Sequence, residues 1–390
     1  MLDFDAANFT KKITLGSPDY TPAEYSGKFP LVKLGEVGKI ISGNAFPKDY
    51  QGFAEGAIPF YKVSSLKFTD TNGYLKDKTN AISEETRQTL KATLIPKNSI
   101  LFAKIGEAIK LNRRGLNEVP CCIDNNMAAF IAERCEYRYA FYWSQTIDFY
   151  GYAKGSAIPA IKKSDLEKIP IPLPPLDMQR QIVAEFNSVD AQIAAQDDTI
   201  AKLNADIQAK FSALFEGYSD DKIYSFTTLC KDDTASGVKF QTSEYLKSGE
   251  VLIIDQGANE IAGYMNVANN PAPYDDLPCV IFGDHTEIFK LVREKFYLGA
   301  DGTKIIVPVD RNKLNAMFLF YMLRTEYKPL GGYARHFKNL KSLKLYLPPI
   351  ELQEKFAAYV TNCEAMKESA RRRREELISE RAALVTKYFR

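Results

Sequence analysis

The sequence predicts an α+β protein of two similar domains, each built of short strands and small helices and each followed by one long helix. Three observations predict this: a strand and Pro-Pro stop that occur twice, a long helical pattern after each stop, and a matching order of shorter motifs in the two halves. The expected bounds are an N-terminal extension at 1–28, a first domain at 29–175, a first long helix at 176–216, a second domain at 217–349 and a second long helix at 350–390.

Residues 164–179 align without a gap on 338–353, with identities at Leu166/Leu340, Leu173/Leu347, Pro174/Pro348, Pro175/Pro349 and Gln179/Gln353. Alternating apolar residues ahead of each Pro-Pro mark a half-buried strand, which the prolines end because they cannot donate to its ladder. The helical patterns that follow, 177–216 and 351–389, contain no Gly or Pro. Steps of four and three pick out Ile182, Phe186, Val189, Ile193, Ile200, Leu203, Ile207 and Leu214 in the first, with Gln196 and Lys210 as polar members. The same steps, shifted by 174 residues, pick out Phe356, Val360, Cys363, Ala370, Leu377, Leu384 and Tyr388, with Lys367, Arg374 and Arg381 between them. A period of 3.5 residues held for about five heptads is a coiled-coil seam, and each helix runs about 60 Å at 1.5 Å per residue.

Upstream of the helices the halves also correspond. Ser42-Gly43 faces Ser236-Gly237, the 56–61 stretch faces 249–254, Ser99-Ile-Leu-Phe faces Cys279-Val-Ile-Phe, and Gly151-Tyr-Ala-Lys faces Gly332-Tyr-Ala-Arg. Short aromatic helices are expected at 139–147 and 316–323. Two similar modules in one chain imply a partner that is itself close to twofold, of which duplex DNA is the commonest.

At 390 residues the chain suits two or three domains, and 45% hydrophobic residues suffice for sizeable cores. It has no unbroken apolar run near the roughly 18 residues of a membrane span, and acidic residues near its start argue against a secretory signal, so a cytoplasmic location is expected. The six cysteines form no C-x-x-C pair and read as reduced, mostly buried thiols. A net charge of +2 announces no nucleic-acid partner by itself.

Catalysis is poorly served. With only His285 and His336 in the chain, neither a His-rich metal site nor a nucleophile-His pair has much to work with, and no metal site is expected. Asn269-Asn-Pro-Ala-Pro-Tyr274 imitates the Asn-Pro-Pro-Tyr turn of adenine methyltransferases, but an alanine splits its prolines and no glycine-rich cofactor turn follows a strand. Asp310 with Glu326 and Lys328 loosely imitates a metal-dependent nuclease cluster, for which solvated charges are the simpler account, and no phosphate-cradling Gly-x-x-x-x-Gly-Lys-Ser/Thr is present.

Local charge supports DNA binding better. Lys104, Lys110, Arg113 and Arg114 crowd one region against Glu107 alone, and Lys328, Arg335, His336, Lys338, Lys341 and Lys344 occupy a stretch without an acid. Lys154, Lys162, Lys163 and Lys168 are the first-half counterparts, diluted by Asp165 and Glu167. Such clusters contact phosphates while nearby amides and hydroxyls read base edges. Candidate DNA contacts are Lys62, Ser64, Ser65, Lys104, Lys110, Arg113, Arg114, Lys154, Ser156, Lys162, Lys163, Gln256, Asn259, His285, Thr286, Lys304, Arg335, His336 and Lys338. For any one lysine, a solvated surface charge is the competing account.

The duplicated order of variable domain, Leu-Pro-Pro-x-x-x-Gln and long helix resembles the specificity (HsdS-type) subunits of Type I restriction-modification systems. Gly283-Asp-His-Thr286, Gly299-Ala-Asp-Gly-Thr303, Ile254-Asp-Gln-Gly257 and Gly263-Tyr264 also look like segments of that family's second-half domains, whereas the first half lacks a Gly-Asp-His-Thr and residues 1–28 match nothing. The resemblance implies a non-catalytic subunit whose two target-recognition domains read the halves of a split, asymmetric site, with the long helices paired as an antiparallel coiled-coil spacer. It also implies two modification subunits bearing S-adenosylmethionine, and ATP- and Mg-dependent restriction subunits, with no cofactor on this chain. A targeting subunit of a Type II-like enzyme and a non-DNA coiled-coil scaffold remain the alternatives.

Overall fold

The computed structural model describes residues 29–155, 158–215, 222–299, 301–332 and 334–390. The expected extension at 1–28, Ser156 and the Glu216 end of the first long helix lie outside the described residues. The chain divides into two compact units, Met1–Asp198 with Arg371–Arg390, and Thr199–Ala370.

In unit 1, β1 (Leu31–Lys33), α1 (Leu34–Val37) and β2 (Gly38–Ser42) lead to β3 (Ile58–Tyr61), β4 (Ala81–Ile82), α2 (Glu84–Thr89), β5 (Ile100–Ala103), β6 (Arg114–Leu116), β7 (Cys122–Ile123) and β8 (Met127–Ala132). Next come α3 (Tyr137–Ser144), α4 (Lys163–Leu166), β9 (Pro170–Pro172) and the start of α5 (Leu176–Ala213). Unit 2 repeats the plan with β10 (Ile223–Ser225), α6 (Phe226–Leu229), β11 (Cys230–Asp232), β12 (Val251–Ile254), β13 (Gly263–Met265), β14 (Cys279–Gly283), β15 (Phe289–Val292), β16 (Phe296–Leu298) and β17 (Thr303–Pro308). It closes with α7 (Ala316–Glu326), α8 (Phe337–Lys341), β18 (Lys344–Tyr346) and the start of α9 (Ile350–Phe389).

The sheets match strand for strand. The antiparallel sheet β2-β8-β5-β6 has its counterpart in β11-β17-β14-β15, and β4-β3-β7 in β13-β12-β16. In the latter pair β3 runs parallel to β7 and β12 parallel to β16. The runs Ile100–Ala103 and Cys279–Gly283 are wholly buried, as suits interior strands covered on both faces.

The repeated strand ahead of each Pro-Pro forms as expected, β9 on β1 and β18 on β10, both antiparallel. The fifth identity of the repeat now has a physical reason. Gln179 is buried; its amide donates to Pro174 O at 2.8 Å and its carbonyl oxygen accepts from Glu136 N at 2.8 Å. Gln353 donates to Pro348 O at 2.7 Å and Lys313 O at 3.0 Å, and accepts from Asn315 N at 2.9 Å. Glu136 and Asn315 are the N-cap residues of α3 and α7. Each glutamine therefore ties the start of a long helix to the start of an aromatic helix, satisfying backbone groups that helix ends leave open.

Aromatic rings complete that joint. In unit 1 Phe186 stacks on Tyr142 at 4.5 Å and meets Phe389 at 5.9 Å. In unit 2 Phe211 packs on Phe318 at 5.5 Å and Phe356 at 5.3 Å.

The long helices pair antiparallel within each unit. In unit 1 Lys387 reaches Glu185 at 3.1 Å, Arg381 reaches Asp190 at 2.6 Å and Arg374 reaches Asp197 at 2.8 Å, one number falling as the other rises. In unit 2 Lys367 reaches Asn204 at 2.8 Å, and Lys210 lies 4.9 Å over the Tyr359 ring. Ile182, Phe186, Val189, Leu203, Ile207, Phe356, Val360, Cys363, Ala370, Leu377 and Tyr388 are buried, whereas Ile193, Ile200 and Leu384 are half-buried. Leu214 needs correction: it lies in the turn past α5, and buried Phe211 takes the seam position there. Val385 and Phe389 likewise join Tyr388 in the core. A straight helix turns every 3.6 residues, so its buried stripe drifts from a 3.5-residue count at the ends.

Candidate nucleic-acid interface

In unit 2, three loops and the segment before α8 converge where β12 and β14 end. Gln256 is the hub: its Oε1 accepts from His285 N at 3.1 Å, its Nε2 donates to Asp301 O at 2.8 Å, and its main-chain oxygen accepts the Thr286 hydroxyl at 2.6 Å. Glycine is required on both sides of it. A Cβ at Gly283 would lie 2.0 Å from Thr286 Oγ1, and Gly302, at φ +90°, would press one within 2.7 Å of Gln256 Nε2. Asp284 is buried and structural: its Oδ1 accepts from Phe337 N at 2.8 Å and its main-chain oxygen from His336 N at 2.8 Å, fixing the start of α8. His285 is half-buried with Nδ1 3.0 Å from Ala334 O.

Two further residues rigidify this edge. Lys290 donates to Asp255 O at 2.7 Å and Asn259 O at 2.6 Å, and burial lowers its ammonium pKa. Glu287, at φ +57°, accepts from the Tyr327 hydroxyl, from Leu330 N at 2.9 Å and from Gly331 N at 2.7 Å. Burial alone would raise its carboxyl, but these donors hold it below the usual carboxylate range. Neither stood out in the sequence; the sole hint was a lysine inside the otherwise apolar Phe289–Val292 strand.

Arg335, Lys338, Lys341 and Lys344 are exposed, as are Asn259 and Thr286. Lys304 is half-buried, 3.7 Å from Asp232 and 5.2 Å over the Phe337 ring. His336 is corrected: it is buried, with Nδ1 3.7 Å from Glu287, so it belongs to the clamp beneath the loop.

In unit 1 the ends of β3 and β5 occupy the matching place with different chemistry. Lys104 follows β5, its N–H donating to Asn126 O at 2.8 Å and its carbonyl accepting from Ile161 N at 2.9 Å; partial burial lowers its ammonium pKa. That bond brings Lys162 near, and the mutual Lys154–Ala160 backbone bonds of 2.9 Å bring Lys154. Lys62 follows β3 and donates to Gln51 at 2.5 Å. It lines a groove of about 330 Å³ with Ser64, Lys67, Asp77 and Asn80. Burial raises the Asp124 carboxyl against the opposing charge of Lys62.

Several first-half cations are engaged. Lys154 pairs with Asp165 at 3.2 Å, Lys110 with Glu107 at 2.6 Å and Lys163 with Glu167 at 3.6 Å, while Lys162 is exposed and Arg113 half-buried. Two candidates are corrected. Arg114 is buried in β6, stacked 4.7 Å over Phe149 and donating to Asn112 Oδ1 at 2.7 Å and Ile147 O at 2.9 Å. Ser65 is also buried, its hydroxyl accepting from Lys62 N at 3.0 Å.

Among the described residues no cluster of three or more His, Cys, Asp or Glu could hold a metal, and no helix is long and apolar enough to cross a membrane.

Residues 27–205 match the family model of the Type I restriction modification DNA specificity domain. A Methanocaldococcus jannaschii chain assigned to the MjaX Type I restriction enzyme as its specificity subunit is 25% identical over 249 residues, 56% of this chain; the match spans 58% of that relative's length. The MjaVIII Type I restriction enzyme specificity subunit of the same organism is 24% identical over 394 residues, covering 89% of this chain and 88% of that one. The S subunit of a Type I restriction-modification system from M. genitalium shares the fold, with a TM-score of 0.59 at 14% identity over 96% of this chain and 99% of that one. Family model, relatives and shared fold agree with the duplicated framework: residues 27–205 carry a Type I restriction modification DNA specificity domain, and the chain as a whole is similar to the specificity subunits of Type I restriction-modification systems, non-catalytic subunits that recognise DNA.

Proposed function

We propose that the chain reads a split, asymmetric DNA site, one half with each unit, and directs methyltransferase and restriction subunits to it. The observation that carries this reading is one strand framework bearing two different sets of loop chemistry. Where β3 and β5 end, unit 1 presents Lys62 and Lys104; where β12 and β14 end, unit 2 presents Gln256, His285 and Thr286. Identical loops would suit identical half-sites; these suit two different ones.

Exposed Arg335 and Lys338 in unit 2, with Lys162 and Lys154 in unit 1, take phosphate contacts that position each unit. Asn259, His285 and Thr286 face base edges; Gln256 positions His285 and Thr286, and Lys290 holds the Asn259 backbone. The paired helices α5 and α9 act as the spacer that sets the unread gap. Two modification subunits, which supply S-adenosylmethionine and methylate adenine, dock on those helices, and restriction subunits using ATP and Mg join that core in the cytoplasm. Single-molecule sequencing of methylated DNA from cells expressing the chain with its modification partner tests this. Two different half-sites with a fixed unread gap are expected; one contiguous or palindromic motif overturns the reading.

A further inference from the structure

The loop before α8 holds one aliphatic side chain out in solvent. Leu330 is 65% exposed, yet its backbone is clamped, because the Glu287 carboxylate accepts from both Leu330 N and Gly331 N. Gly331 and Gly332 follow at φ +68° and +81°, a left-handed stretch that lets the chain turn sharply away. An exposed leucine alone is ordinary. A leucine fixed in place by the same turn that carries His285 and Thr286, and followed by exposed Arg335, Lys338 and Lys341, has a rigid mount and a polyanion-attracting border. Unit 1 has a counterpart: Ile158 is 67% exposed and precedes α4 by five residues, as Leu330 precedes α8 by seven. Lys162 and Lys163, both exposed, follow it.

We propose that Leu330 is a wedge that inserts between two base pairs of the half-site met by unit 2 and unstacks them; this rests on the DNA-reading function above. Apolar side chains inserted at a base step open it, and the neighbouring cations hold the phosphates on either side. Stiffness matters, because a stacked step pushes back on whatever enters it. The Glu287 clamp supplies that stiffness without touching the DNA.

The test uses the full chain with its modification subunits and a duplex carrying the site found by methylome sequencing. 2-Aminopurine replaces, in turn, each adenine other than those methylated. Binding should raise the fluorescence at one step of the unit 2 half-site. Leu330→Ala should abolish the rise and weaken binding by about tenfold, the scale of one lost base pair of recognition. Leu330→Phe should keep the rise, and because the residue is largely exposed neither change threatens folding. Bound DNA with flat fluorescence at every position, or a rise untouched by Leu330→Ala, overturns the wedge and leaves the DNA-reading function standing. Flat fluorescence with binding weakened equally by Leu330→Ala and by exchanging a thymine for uracil assigns Leu330 to a methyl contact instead. A wild-type complex that binds no such duplex removes both.

Discussion

Replacing Gln179 by alanine removes two hydrogen bonds, one to Pro174 O just ahead of α5 and one from Glu136 N at the cap of α3, each 2.8 Å long. At about 0.5–1.5 kcal/mol net per bond, with a further cost for the buried groups left without partners, the loss should be about 1–3 kcal/mol. The chain has a single tryptophan, Trp143, and it lies buried in α3, the helix whose N-cap this glutamine holds. Urea unfolding followed by its fluorescence therefore reports on unit 1 at the affected joint, and the midpoint should fall with little change in slope. Gln179→Met fills similar volume without either bond and should lose nearly as much, which separates bonding from packing. The Gln353→Ala change in unit 2 breaks three bonds and should cost about 2–4 kcal/mol, read by hydrogen exchange along α7. A Gln179→Ala midpoint within the roughly 0.5 kcal/mol scatter of surface substitutions would refute the reasoning, leaving the repeated glutamine without a structural role.

Arg335→Ala and Lys338→Ala should each weaken specific and non-specific DNA binding together and reduce the salt slope by about one; altered base preference with an unchanged slope would contradict a phosphate role. Because the Glu287 carboxyl lies below its ordinary 4.5, its contribution to ordering Leu330 and Gly331 is full above that value and disappears as pH falls through the lowered one. Protection of those two amides from hydrogen exchange, taken relative to the intrinsic rate at each pH, should fall only in the acid range, whereas Glu287→Gln should lower it at neutral pH; identical profiles for the two proteins would count against the clamp. Four residues added to α5 alone would misalign Arg381 from Asp190 and Arg374 from Asp197, whereas four added to both helices at matched positions lengthen the pair by about 6 Å. Methylome sequencing of the doubly lengthened variant should then show unchanged half-sites and a wider gap, and an unchanged gap would remove the spacer role.

The duplication was legible because its signals are local: an alternating strand, a proline pair and a heptad repeat each occupy consecutive residues. What the repeated glutamine does was not, since its partners Glu136 and Asn315 lie 43 and 38 residues upstream and meet it only in the fold. The parallel pairing of β3 with β7 was hidden for the same reason, Phe60 finding Cys122. Charge reading failed in one instructive way. Arg114 and His336 sit among basic neighbours in sequence, yet strand direction and loop packing turn both inward, which a count of charges cannot register. The ion pairs that engage Lys110 and Lys163 were within reach, because Glu107 and Glu167 stand three and four residues away, the spacing at which helical side chains meet. Gly283-Asp-His-Thr286 was visible as a motif, but its division of labour, with the aspartate capping α8 and the threonine locking Gln256, came only from geometry.

The polar seam between the long helices bears on how they could set a gap. A purely apolar stripe repeating every seven residues can slide by a heptad and still bury the same kind of surface. Here the seam is interrupted by Arg381 on Asp190 and Arg374 on Asp197 in unit 1, and by Lys367 on Asn204 in unit 2. Lys367 is only 5% exposed and also meets Glu364 of its own helix at 2.7 Å, so a slipped register would strip its ammonium of Asn204 and leave it that one partner. Taking a hydrogen-bond partner from a buried ammonium costs about 1–3 kcal/mol. These contacts therefore act mainly against the wrong alignments, while Phe186 with Phe389 and Phe211 with Phe356 supply the apolar stabilisation. Neutral, shape-matched replacements such as Lys367→Met with Asn204→Leu should keep or raise stability and yet admit more than one register. Methylome sequencing of that double variant would then find the same half-sites at more than one gap length, and a single unchanged gap would show that the aromatic ends suffice to hold the register.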